Sequence, residues 1–340
     1  MTLTLHSPLD MHLHLRDGEM LKTVAPLSAE NFAGALIMPN LIPPVTTKEA
    51  LLSYKSRILD AAQTINSPQS KIQSFTPYMT LFFRSDYDKA FLEEFGEHLT
   101  AIKLYPAGIT TNSEGGVSGF DIEELSTTLQ AMSDLHIPLC IHGETNGFVM
   151  DREAEFIPIY EKLATAFPDL KIIMEHITTA QSAKALDKFD NLYATITLHH
   201  LLITLDDVAG SMLHPHLFCK PIAKRPEDRE ALLELALNAH PKVMFGSDSA
   251  PHPRDTKETS SCGAGVFTSP VILPALAQLF SRHGKLDKLQ AFISDNACRI
   301  YDIKPIKKDV MLENKPFFVS ENYGGVVPMF AGEELEWSIS

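Results

Sequence analysis

The sequence predicts an α/β protein built as a closed (β/α)8 barrel, with a C-terminal extension of helices and short strands. Two observations predict it. Eight short apolar runs alternate with longer stretches, most of them of helical periodicity. Six metal-capable side chains fall at or near the C-terminal ends of five of those runs, the end at which such barrels carry their chemistry.

The predicted strands are 9–15, 33–39, 71–81, 101–105, 138–142, 171–176, 192–198 and 243–247. Helix-like segments separate most of them. Segment 48–65 gathers Leu51, Leu52, Ile58 and Leu59 near one face, and 123–135, 154–167 and 226–239 behave alike. Pro226 suits the first turn of its helix, where a missing N–H costs nothing. The helical signal after the seventh strand is weak. Strands alternating with helices imply right-handed crossovers and a parallel sheet, so eight such units predict a TIM barrel. Segments 273–280 and 288–301 predict further helices. Residues 316–339, with Gly324, Gly325 and Gly332 as turns, predict short strands packed outside. No low-complexity block or long linker divides the chain, so residues 1–340 are expected to form a single domain.

Composition limits the function classes. The chain has 340 residues, 44% of them hydrophobic, and a net charge of -14 from 43 acidic and 29 basic residues. That acidity disfavours nucleic acid and anionic membrane as partners. Cys140, Cys219, Cys262 and Cys298 form no CxxC pair and read as reduced thiols. The N-terminus lacks a basic region followed by an apolar run, and no stretch approaches a membrane span. A cytoplasmic protein is expected.

His12 and His14 lie two apart on the first strand, a spacing that puts both imidazoles on one face; if that face looks inward, both enter the lumen. Lys103 lies on the fourth strand, His142 ends the fifth, His176 ends the sixth, and Asp248 follows the eighth. Taken singly each has an ordinary explanation: Asp248 could cap a turn, and a lone lysine is usually just a lysine. Their conjunction points to metal. His199 and His200, adjacent and therefore expected on opposite faces, read as structural. His98, His136, His240 and His283 read as surface residues, and His6, His214 and His216 as surface or packing residues.

Six motifs, in this order, carry a resemblance. They are Asp10-Met11-His12-Leu13-His14-Leu15-Arg16, Met38-Pro39-Asn40, Ile102-Lys103-Leu104-Tyr105-Pro106, Ile141-His142-Gly143-Glu144, Met174-Glu175-His176-Ile177-Thr178-Thr179 and Gly246-Ser247-Asp248-Ser249-Ala250-Pro251-His252. Over nearly the whole chain the sequence resembles the dihydroorotases, of the bacterial and fungal type, within the amidohydrolases. The resemblance implies a binuclear centre of two zinc ions: His12, His14 and Asp248 on the first, His142 and His176 on the second. Lys103, carboxylated by CO2 to N6-carboxylysine, would bridge both; the carbamate supplies an oxygen for each ion, which a protonated amine cannot. The implied reaction is the reversible cyclisation of N-carbamoyl-L-aspartate to dihydroorotate and water in pyrimidine biosynthesis, with a shared hydroxide as nucleophile and Asp248 as general acid/base.

The same resemblance implies the substrate contacts. Arg16, Asn40 and His252 would clamp the substrate carboxylate, for which a guanidinium fork is suited. Arg16, two beyond His14, would face the site on an extended strand. His142 would also touch substrate, and the backbones of Lys220 and Ala264 would meet the ring's amide edges. Lysine at 220 departs from the apolar residue common there. Segment 106–119, rich in Gly, Ser and Thr, reads as a mobile loop, by resemblance a lid with Thr110 and Thr111 on the substrate. A homodimer is implied too. Two alternatives stand at this level: another cyclic amidase of the hydantoinase or allantoinase kind, which the carboxylate clamp argues against, and a non-catalytic barrel scaffold, which the complete ligand set argues against.

Overall fold

The computed structural model describes residues 1–63 and 75–340. A first strand, β1 (Thr2–His6), lies outside the main sheet. The sheet itself contains β2 (Leu9–Leu13), β3 (Gly34–Ile37), β4 (Thr76–Phe82), β5 (Ala101–Leu104), β6 (Leu139–Ile141), β7 (Ile172–Met174), β8 (Leu192–Ile196) and β9 (Val243–Phe245), all parallel and in sequence order. The predicted eight-stranded (β/α)8 architecture is therefore what the chain adopts. Seven of the eight strands end one or two residues before the predicted runs do, and β4 ends one residue later. Predicted positions 71–74 and 64–65 lie outside the described residues.

The crossovers are α1 (Gly18–Asn31), α2 (Lys48–Ala62), α3 (Lys89–Glu93), α4 (Ile122–Asp134), α5 (Arg152–Ala166) and α6 (Ala180–Ala185), followed between β8 and β9 by α7 (Leu198–Leu202), α8 (Leu205–Ala209) and α9 (Pro226–Leu237). Pro226 does open its helix, where the Asp228 carboxylate accepts the Arg225 N–H at 3.2 Å. Helix α1 escaped the periodicity reading: its buried face mixes Leu21 and Val24 with small or polar residues, Ala25, Ser28, Ala29 and Asn31, and with Pro26. After β9 come α10 (Arg254–Lys257), α11 (Ile272–Arg282), α12 (Leu286–Gln290) and α13 (Asn296–Tyr301). A three-stranded sheet follows, in which β10 (Asp309–Glu313) pairs antiparallel with β1. The short tail strands β11 (Phe317–Phe318), β12 (Glu334–Leu335) and β13 (Ser338–Ile339) match the predicted extension. The pairing of β1 with β10 was not foreseen.

The ring closes just beyond β9. The Asp248 N–H donates to the His12 carbonyl at 2.8 Å and the His14 N–H to the Ser249 carbonyl at 3.2 Å. Buried Asp10 accepts from the Ser247 N–H at 2.8 Å and from its hydroxyl at 2.6 Å. Gly246 is required there, since a Cβ would lie 2.9 Å from that of His12.

Two apolar clusters follow from strand alternation. One, between sheet and helices, holds Ile102, Leu104, Leu139, Ile141, Val243 and Phe245. The other fills the barrel interior with Leu9, Met11, Ala101, Cys140, Ile173 and Met244. Strict alternation in β2 would then turn His12 and His14 outward. The register shifts between Asp10 and Leu13, and Leu13 joins the outer cluster. That irregularity re-aims both histidines into the lumen.

Candidate active site

A narrow cavity opens at the C-terminal ends of the strands. It is lined by His12, His14, His142, His176 and Asp248, with Arg16, Asn40, Lys220 and Ala264 around them and Thr110 and Thr111 above. The sequence-predicted set is thus brought together, apart from two members. Lys103, fully buried on β5, stands beneath the cavity, with Nζ 5.2 Å from the centre of the Tyr105 ring. His252 stands behind the lining, its Nε2 3.1 Å from Arg16 Nη2 and 2.9 Å from the Ala264 carbonyl.

The ring nitrogens converge in pairs. His12 Nε2 lies 3.3 Å from His14 Nε2, and both face Asp248 Oδ1, at 3.5 and 3.1 Å. His142 Nδ1 lies 3.2 Å from His176 Nε2. Two nitrogens on one tetrahedral zinc ion are about 3.4 Å apart, from Zn–N distances of about 2.05 Å, so both pairs have the separation of co-ligands. Carboxylates orient the rings from behind: His12 Nδ1 meets Glu175 Oε2 at 2.7 Å, and His142 Nε2 meets Glu144 Oε2 at 2.9 Å. Each leaves the opposite ring nitrogen to face its neighbour, as outer partners of metal-bound histidines do. Thr195 adds a 2.6 Å hydrogen bond to Glu175.

Orphaned polar atoms test whether these residues fit a cation pair. Lys103 Nζ and His176 Nδ1 are buried without a hydrogen-bond partner, as is Glu175 Oε1. Unpartnered buried groups are costly. Burial drives the Lys103 amine below its ordinary range, against the pull of Glu175, which favours the neutral form that reacts with CO2. Burial likewise lowers His142 and His176, while the His14 hydrogen bond and the neighbouring histidines hold Asp248 ionised against its own desolvation. The donor set of neutral imidazoles and a carboxylate suits zinc.

Arg16, His176 and Asp248 have φ of 57°, 40° and 44°. The expectation that Arg16 extends the first strand is therefore corrected: β2 ends at Leu13, and a left-handed turn delivers the guanidinium to the cavity. Such non-glycine conformations cost about 1–3 kcal/mol each and collect at functional sites. Arg16 Nε donates to the Pro251 carbonyl at 3.2 Å.

Loop 106–119 is bonded within itself and to its surroundings. Ala107 N–H donates to Val117 O at 2.9 Å and Val117 N–H to Tyr105 O at 2.8 Å. Gly116 packs where a Cβ would be 2.3 Å from the Tyr105 carbonyl. Asn40 Nδ2 donates to Thr111 O and Asn112 Nδ2 to Asn40 O, both at 3.0 Å. The loop thus covers the cavity, held by its neighbours.

Sequence reasoning missed several contributors. Tyr105 lines the cavity with its hydroxyl unpartnered. Glu144 and Glu175 had a readable signal, each lying within two residues of a candidate histidine. Lys257 had none: its buried ammonium donates to the carbonyls of Phe218, Gly263 and Gly265, at 2.9, 2.8 and 2.7 Å, and so shapes the segment carrying Ala264. Of the histidines read as peripheral, His6 pairs with Asp309 at 2.7 Å and His216 with Glu258 at 2.9 Å. His199 and His200 do not lie on opposite faces as expected. They sit in one helical turn, α7, where neighbours are not opposed, and both are buried with ring centres 4.3 Å apart.

The amidohydrolase family model matches residues 84–303. A dihydroorotase of Helicobacter hepaticus is 46% identical over 346 residues, covering 99% of this chain and 98% of that one. The crystal structure of a dihydroorotase from Campylobacter jejuni superposes with a TM-score of 0.94 at 57% identity, over 100% of this chain and 97% of that one. A dihydroorotase from Saccharomyces cerevisiae, solved in complex with 5-fluoroorotic acid, gives a TM-score of 0.91 at 32% identity, over 100% and 98%.

Proposed function

This chain belongs to the dihydroorotase family of amidohydrolases, and from that premise we propose how its residues divide the work of closing N-carbamoyl-L-aspartate to dihydroorotate and of reopening the ring. The observation that carries the reading is the pairing of bare imidazole nitrogens above the orphaned Lys103 amine.

His12, His14 and Asp248 would hold one zinc ion and His142 and His176 a second. Lys103, carboxylated by CO2, would reach both. Bound there, the ions supply Lewis acidity towards the amide carbonyl and make a water a stronger nucleophile at neutral pH. Arg16 binds the substrate carboxylate through its fork, with Asn40 beside it and His252 backing the guanidinium. The Lys220 and Ala264 backbones meet the amide edges of the ring, next to His142. In ring opening the carbonyl carbon gains the water oxygen, Asp248 accepts the water proton, and the same proton passes to the ring nitrogen as the C–N bond breaks. Ring closure runs these transfers in reverse. Thr110 and Thr111, on the covering loop, exclude bulk water.

The unbroken barrel supports one hydrolase domain over 1–340. Among the described residues no helix is long and apolar enough to cross a membrane. A homodimer working in the cytoplasm is the family's expectation for this chain and is read by sedimentation and fractionation.

The test is turnover with purified, zinc-loaded protein. Wild type should interconvert the two compounds. Asp248→Ala should abolish turnover, and metal analysis of that variant separates a lost proton carrier from a lost ion. Full activity in Asp248→Ala, or no activity in wild type carrying two ions, refutes the reading.

A further inference from the structure

Just outside the active cavity, at the end of β8, three soft or borderline donors converge. His199, His200 and Cys219 are all buried, and one ligand atom from each lies within 4.8 Å of the others. None of the three lines the active cavity. His200 Nε2 lies 3.5 Å from Cys219 Sγ. A nitrogen and a sulfur on one tetrahedral zinc ion, with Zn–N about 2.05 Å and Zn–S about 2.3 Å, are about 3.6 Å apart. The Pro221 carbonyl accepts hydrogen bonds from both, at 3.0 and 3.2 Å, and would become a fourth ligand atom when an ion takes the place of those protons.

One further feature points to a ligand. Both ring nitrogens of His199 are buried without a partner, although a neutral imidazole carries a donor and an acceptor that ordinarily find one. Thr197 Oγ1 lies 2.9 Å from His200 Nδ1. The Pro221 carbonyl accepts from His200 Nε2–H, so Thr197 donates to Nδ1; an ion would take the place of the Nε2 proton, which shifts to Nδ1 with Thr197 then accepting it.

We propose that His199, His200 and Cys219 form a second, non-catalytic cation site for zinc or an ion of its class. Binding displaces the Cys219 thiol proton to solvent, so the ligand is the thiolate. The ion would join the start of α7 to the segment before Pro221, and so brace Lys220 at the edge of the active cavity.

Cadmium reads this site apart from the catalytic one, whose proposed ligands include no sulfur. Metal-stripped full-length protein is titrated with cadmium, both as folded and after refolding with cadmium present, which removes any barrier to access. A thiolate-to-cadmium charge-transfer band in the ultraviolet should grow to about one equivalent per chain. It should vanish in Cys219→Ser and persist in Cys262→Ser, with folding of both checked by circular dichroism. Should Cys219→Ser not fold, His199→Gln decides, with half-saturation expected at cadmium concentrations about tenfold or more higher. No band in wild type after refolding, a band unchanged in Cys219→Ser, or a titration unchanged in His199→Gln overturns the proposal and leaves a hydrogen-bonded packing cluster.

Discussion

Lys220 Nζ donates to the Ile109 carbonyl at 2.8 Å, tying the edge of the cavity to the loop that covers it. The Lys220 side chain thus has a partner of its own. Lys220→Met should remove one hydrogen bond of about 1 kcal/mol and shift the covering loop towards open by about fivefold. KM for dihydroorotate should rise by about that factor, with kcat changed less. An unchanged KM, together with unchanged protease sensitivity at 106–119, would show that the contact does not hold the loop.

Arg16 lines the cavity, and the proposed reading has its guanidinium bind the substrate carboxylate. Charge-assisted hydrogen bonds contribute about 1.5–3 kcal/mol, so Arg16→Gln should lower kcat/KM for dihydroorotate by about 10- to 150-fold. Dihydrouracil, the same ring without the carboxylate, should lose little in the same variant. Equal losses on both rings would remove Arg16 from carboxylate recognition.

Lys103 has no hydrogen-bond partner and no solvent. If its amine is carboxylated, reconstitution of stripped protein with zinc should depend on dissolved CO2. Recovery of activity and of bound zinc should be slow in CO2-depleted buffer and faster with added bicarbonate. In Lys103→Ala, bicarbonate should have no effect and zinc content should fall. Bicarbonate-independent recovery of wild type would rule out the carbamate.

Much of this site was legible because its chemistry is carried by rare residue types at strand ends. His142, His176 and Asp248 fall where short apolar runs stop, and a parallel barrel gathers all such ends at one mouth. What escaped reading arises from tertiary closure. The register shift in β2 that turns His12 and His14 inward begins at Asp10, which bonds Ser247, 237 positions away. Lys257 looks like any helical lysine until its ammonium is seen among three carbonyls. The opposite-face placement expected of His199 and His200 fails because the end of a predicted strand is a helical turn. The antiparallel pairing of β1 with β10 spans almost the whole chain, and short alternating segments such as Thr2–His6 do not name their partners.

His252 gives a pH dependence whose sign is fixed. Burial, and then the Arg16 charge, push its imidazole down to about 4 from the ordinary 6.5. The folded state therefore binds fewer protons than the unfolded chain between those values. Its contribution to stability is complete above the unfolded value and is lost as pH falls towards the folded one. The slope is at most about 1.4 kcal/mol per pH unit for one proton. His252→Gln removes that proton uptake. Urea unfolding of stripped wild type and variant should show stability falling less steeply in the variant between about pH 6.5 and about pH 4.5. Parallel curves for the two proteins would mean that His252 titrates alike folded and unfolded, and that Arg16 does not hold it neutral.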